Sequence, residues 1–126
     1  MVSNLLIVPL LLMLASLDSP ARGQAPQKIP RAYQGEWNMH LKDCGSARND
    51  STLRLGGSTI SYFESTGPVR SAVARKRELV LIAELKGEGE TRLHAAHFQL
   101  APDGRTLTDV MSTPRLMRYR CPERRD

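Results

Sequence analysis

Between residues 35 and 121 the chain is cut into short runs in which apolar and polar residues alternate, and each run ends at a turn signal. A period of two sends successive side chains to opposite faces of a strand, so such runs read as half-buried β-strands. Residues 35–41 set Trp37, Met39 and Leu41 against Glu36, Asn38 and His40. Further runs cover 51–55, 59–65, 69–76, 78–86, 91–100, 106–111 and 115–121; in the third of these Val69, Ser71 and Val73 share a face. Gly56-Gly57, Thr66-Gly67-Pro68, Gly87-Glu88-Gly89-Glu90 and Pro102-Asp103-Gly104 punctuate them with residues that favour turns. After residue 23 no amphipathic helix stands out. About eight antiparallel strands in sequence predict an all-β meander. It closes either as a small up-and-down barrel or as a curled two-sheet sandwich. The barrel is favoured, because closure removes both exposed sheet edges.

The first 23 residues read as a secretory signal. Residues 5–17 are apolar except at Pro9 and Ser16, a stretch shorter than the ~20 residues of a membrane span. Ala21-Arg22-Gly23 supplies small residues for a cleavage site before Gln24. Residues 24–32, with Pro26 and Pro30, then form a flexible leader, 33–122 a single β domain, and 123–126 a basic tail. The expected setting is periplasmic or secreted, with no integral membrane segment after cleavage. A net charge of +5 in an exported chain points to an envelope protein or an anionic envelope component rather than nucleic acid, or simply to a solvated surface.

Cys44 and Cys121 are the chain's two cysteines. An even count in a small exported domain predicts a disulfide between them. With no C-x-x-C present, it reads as a clasp between the first and last strands. Closing so long a loop is worth roughly 4 to 5 kcal/mol in the chain-entropy picture.

The chain carries no G-x-S-x-G, H-E-x-x-H or P-loop. No catalytic residue, metal site or cofactor is assigned. His94 and His97 are three apart, so a strand turns them to opposite faces and they do not share one ion. If Ile60 and Tyr62 face inward, Glu64 follows them, and His94 lies on the face of Ala96, Phe98 and Leu100. Glu64 and His94 are thus the acid–base pair to look for, with a salt bridge from Glu64 to a neighbouring arginine as the structural alternative. Glu88 and Glu90 read as a solvated turn. Arg115, Arg118, Arg120, Arg124 and Arg125 make the C-terminal end basic, either as a grip for phosphate or as a solvated edge strand. Asn49-Asp50-Ser51 matches a glycosylation sequon. The candidate binding residues are Glu64, His94, Tyr62, Arg118 and Arg120.

Gly35-Glu36-Trp37 resembles the G-x-W at the start of lipocalin-like (calycin) barrels. In that family the Trp closes one barrel end and an Arg of the last strand packs over it. The resemblance implies those roles for Trp37 and for either Arg118 or Arg120. The stretch from Ile29-Pro30 to Arg120-Cys121-Pro122 is similar to a group of small exported bacterial proteins. The similarity runs through Tyr62-Phe63-Glu64-Ser65-Thr66-Gly67, Gly87-Glu88-Gly89-Glu90 and Asp103-Gly104 with Leu107-Thr108. It implies a periplasmic or secreted setting and assigns no activity. The expected function is a non-enzymatic envelope binding or interaction module. The alternatives are an inhibitor of an envelope-attacking hydrolase such as lysozyme, and a small-ligand or lipid carrier.

Overall fold

The computed structural model describes residues 28–46 and 49–123. The expected signal, residues 24–27 of the leader, and Arg124 and Arg125 lie outside the described residues. Eight strands follow one another: β1 (Gly35–Asn38), β2 (Leu53–Leu55), β3 (Thr59–Tyr62), β4 (Ser65–Arg75), β5 (Glu78–Gly87), β6 (Glu90–Leu100), β7 (Thr106–Asp109) and β8 (Leu116–Arg120). Each pairs antiparallel with its neighbours in sequence, and β1 pairs with β8, so the meander is a closed barrel. The closing seam is short, with Trp37 opposite Arg120 and Asn38 opposite Tyr119. Among the described residues no helix is long and apolar enough to cross a membrane.

The inward rows meet in one core that includes Trp37, Leu53, Ile60, Leu81, Phe98 and Leu107. The barrel has a lower end, where the chain enters and where the β2–β3, β4–β5 and β6–β7 turns lie. The other connections gather at the upper end. Ile29 belongs to the core and is fully buried, and its N–H, like that of Lys28, donates to Gly57 O. Lys28–Ala32 is therefore part of the fold, which corrects the reading of that part as a flexible leader.

Three further expectations are corrected by barrel geometry. First, β1 stops at Asn38, and Leu41 stands 57 % exposed in a 3-10 turn, Leu41–Asp43. The seam ends there, and the chain doubles back along the outside of β1 to bring Cys44 to Cys121. Second, Gly67 and Pro68 lie within β4 rather than breaking it. A Cβ on Gly67 would sit 1.7 Å from Glu84 O, so the close approach of β5 requires glycine. Third, a bulge between Val69 and Ser71 shifts the phase of β4 by one residue. Val69 is buried, Ala72 packs on the core, and Val73 is 67 % exposed.

The disulfide joins Cys44 to Cys121 across 77 residues, with Cα atoms 5.7 Å apart. Cys44 lies in the β1–β2 loop, beyond the end of β1, and Cys121 directly follows β8, its N–H donating to Glu36 O at 2.8 Å. The bond thus pins that loop onto the outside of the β1–β8 seam rather than linking two strands directly. Asn38 is buried beneath the loop. Its amide nitrogen donates to Glu36 Oε2 at 2.9 Å, and its carbonyl oxygen accepts from Asn49. Asn49, the sequon asparagine, is buried in the folded chain.

Candidate binding site

The strand β8 sends Leu116, Arg118 and Arg120 inward, by the same alternation that buries Leu107 and turns Asp109 inward on β7. Arg118 and Arg120 therefore do not form an exposed basic edge; the closed sheet has no edge there. Register decides what each arginine meets. Arg120 lies opposite Trp37 and covers its ring, with the guanidinium carbon 4.2 Å from the ring centroid. It donates to Gln34 O at 2.8 Å, Gly104 O at 2.9 Å and Ala32 O. Trp37 Nε1 donates to Tyr33 O at 2.9 Å, and Tyr33 and Ile29 are buried beside it. These contacts plug the lower end.

Arg118 lies farther up the strand. It is 6 % exposed, and its Nε donates to Ser51 O at 2.7 Å. Tyr62, the last residue of β3, faces His94 of β6: Tyr62 Oη lies 2.9 Å from His94 Nε2, and the rings meet edge to face at 5.1 Å. Asp109 ends β7, where its Oδ1 accepts the Met111 N–H at 3.0 Å. Burial, and next the charge of Asp109, push the Tyr62 phenol well above its ordinary range, against Arg118 and Arg92. Burial and the charge of Arg92 hold His94 below the ordinary histidine range, against Asp109. Burial lowers Arg118 from its high ordinary value, against Tyr62 and Asp109. A guanidinium stays protonated at neutral pH, so a neutral Tyr–His pair here lies within reach of the charges of Arg118, Arg92 and Asp109.

Glu64 is not part of this group. The Tyr62↔Ser65 pair leaves Phe63 and Glu64 as a two-residue turn, and Glu64 is exposed with φ +64°. The inward row ends at Tyr62, and Tyr62 rather than Glu64 is the hydrogen-bond partner of His94. His97 points outward, its Nε2 3.1 Å from Glu78 Oε1. Asp109 and Arg92 were missed in the sequence. The alternation that buries Leu107 was the signal available for Asp109.

Outside the barrel, a groove of about 620 Å³ crosses β1–β3 beside the disulfide. Its floor holds Glu36, which accepts from Arg54 at 2.9 Å, the Gly45 N–H at 2.7 Å and the Asn38 amide. Burial raises the Glu36 pKa, but these donors and the Arg54 charge outweigh it and hold the carboxyl below its ordinary range. Among the described residues, one group of three potential metal ligands comes together: Glu36, Cys44 and Cys121. Both of its sulfurs are committed to the disulfide. At the upper end, a cleft of about 190 Å³ between two hairpin turns is lined by Glu64, Glu88, Glu90 and Arg92. Compared with known proteins, the chain matches no family model, no curated sequence and no solved structure.

Proposed function

We propose that this protein is an exported, non-enzymatic binding module of the cell envelope, a lipocalin-like barrel that engages its ligand at the upper end. One contrast carries the reading. The lower end is plugged by Ile29, Tyr33, Trp37 and an Arg120 bonded through all three nitrogens, whereas Tyr62, His94, Asp109 and Arg118 gather toward the other end. Rigid strands hold these groups, and polar groups gathered at one end of a packed barrel are suited to recognition. The Trp37–Arg120 stack supports the lipocalin-like resemblance. The disulfide suits an oxidising compartment.

The reading is tested by titrating ¹⁵N-labelled mature protein with a small-molecule extract of bacterial envelope. Amide shifts confined to the surroundings of Tyr62, His94, Arg118 and residues 110–115 are expected. Shifts confined to the lower end, or none at saturation, would remove the upper end as the binding end. Osmotic-shock fractionation of a bacterial host making the full chain checks the setting: the protein is expected in the periplasmic fraction or the medium, beginning at Gln24.

A further inference from the structure

Arg118 is bonded through one of its three nitrogens. A guanidinium carries five N–H donors. Arg118 is nearly buried, yet among the described residues its one hydrogen bond runs from Nε to Ser51 O. Among the described residues no carboxylate lies within ion-pair distance of it; the ion pairs there are Arg54–Glu36, Arg70–Glu84 and His97–Glu78. Asp109, the nearby anion, is turned to cap the Met111 N–H. Arg120, by contrast, hands its donors to three carbonyls. Among the described residues the buried side-chain polar atom without a partner is Thr52 Oγ1, so the Arg118 Nη groups are not sealed in the core: they keep contact with solvent and are open to an incoming acceptor.

We infer that Arg118 is the receptor for a compact oxyanion, the carboxylate or phosphate group of a small ligand, held jointly with Tyr62. This rests on the reading of the upper end as the binding end and names the chemistry it takes. The two Nη groups form a fork that matches two oxygens of such an anion. Tyr62 completes the site through His94. When neutral His94 carries its proton on Nε2, it donates to the phenol oxygen, and the phenol O–H is freed to donate to the anion. In the other tautomer the phenol spends its proton on His94. Anion binding therefore selects the Nε2–H tautomer.

Charge around the site narrows the ligand. Asp109 is the carboxylate whose charge reaches Arg118, whereas Arg92 shares its cleft with three others. Glu64, Glu88 and Glu90 line the cleft next to Arg92. These carboxylates repel a polyanion laid across this end more strongly than a compact, singly charged group. The ligand is thus a small acid rather than an anionic polymer.

The test titrates the mature protein at low ionic strength with acetate and, in a separate arm, with inorganic phosphate. It follows the Arg118 side-chain N–H signals and the His94 ring nitrogens by NMR. Saturable binding of at least one anion is expected, with a shift of His94 toward the Nε2–H tautomer; the arm that saturates at lower concentration names the group. Arg118→Gln is expected to weaken binding at least tenfold, and Arg118→Lys by less. Tyr62→Phe is expected to weaken it several-fold and abolish the tautomer shift. Asp109→Asn, which removes the competing charge, is expected to tighten it several-fold. A long-chain polyphosphate is expected to bind no tighter per phosphate than the monomer. Absence of saturation by both anions, or unchanged affinity in a folded Arg118→Gln protein, would overturn the inference. If envelope extract still moved the upper-end amides in either case, the binding-end reading would stand without it.

Discussion

Two arginines, two residues apart on one strand and facing the same way, are treated oppositely by the fold. Arg120 is a rivet. It stacks on Trp37 and gives its donors to the carbonyls of Ala32, Gln34 and Gly104. Arg118 is buried at least as well but receives one carbonyl. An arginine bonded through all three nitrogens holds parts of a scaffold together; one whose Nη groups still meet solvent is open to an outside acceptor. The ends of the barrel differ in the same sense. One is closed by apolar packing, and the other gathers polar groups whose bonds are only partly made.

The comparison can be broken most forcefully at the plug. Trp37→Ala is expected to cost about 3–5 kcal/mol of unfolding free energy, read from urea denaturation. A cost below about 1 kcal/mol would mean that the lower end does not organise the fold. Replacing Cys44 and Cys121 together by serine is expected to cost about 2–4 kcal/mol, since it frees the β1–β2 loop and the end of β8 in the unfolded ensemble. The direct contest is Arg120→Met against Arg118→Met. The first loses the ring stack and leaves carbonyls short of donors, about 2–3 kcal/mol. The second removes a charge held by one hydrogen bond, with its Nη groups still in contact with solvent, and is expected within about 1 kcal/mol of the parent. Equal costs by urea denaturation would erase the distinction.

The smallest effects separate the two regions by pH. His94 is held below its ordinary range in the folded chain, so on acidification the unfolded chain takes up its proton first. Its contribution to stability is complete above the ordinary histidine value near ~6.5 and is lost as pH falls below it. Glu36 is also depressed, so its contribution is complete above the ordinary carboxylate range and is lost as pH falls through the folded value. The urea midpoint is therefore expected to fall first in a window that His94→Gln flattens, and later in a more acid window that Glu36→Gln flattens. A single window, moved by neither variant, would contradict both assignments.

Much of this architecture could be read from the chain, because alternation and turn residues are local. The number and order of strands, and the pairing of Cys44 with Cys121, follow from patterns that need no third dimension. What escaped depends on neighbours across the sheet. Gly67 resembles a turn residue until β5 is placed against it. Val73 continues an inward row until the bulge two residues earlier reverses it. Arg118 and Arg120 are equivalent by periodicity, and only the Trp37↔Arg120 register separates them. The site suffered at the same kind of point. The row through Ile60 and Tyr62 does not reach Glu64, because the hairpin turns one residue sooner. The carboxylate whose charge reaches Tyr62, Asp109, sits on β7, far away in sequence.

The hydrogen bonds that seat Lys28 and Ile29 on Gly57, and Cys121 on Glu36, put the entrance and exit of the barrel chain at the same, plugged end. A linker, tag or surface attachment joined ahead of residue 28 or after residue 123 would hold the molecule like a cup by its base. The rim bearing Tyr62, His94 and Arg118 would then face outward, so tethered protein should capture ligand as well as free protein does.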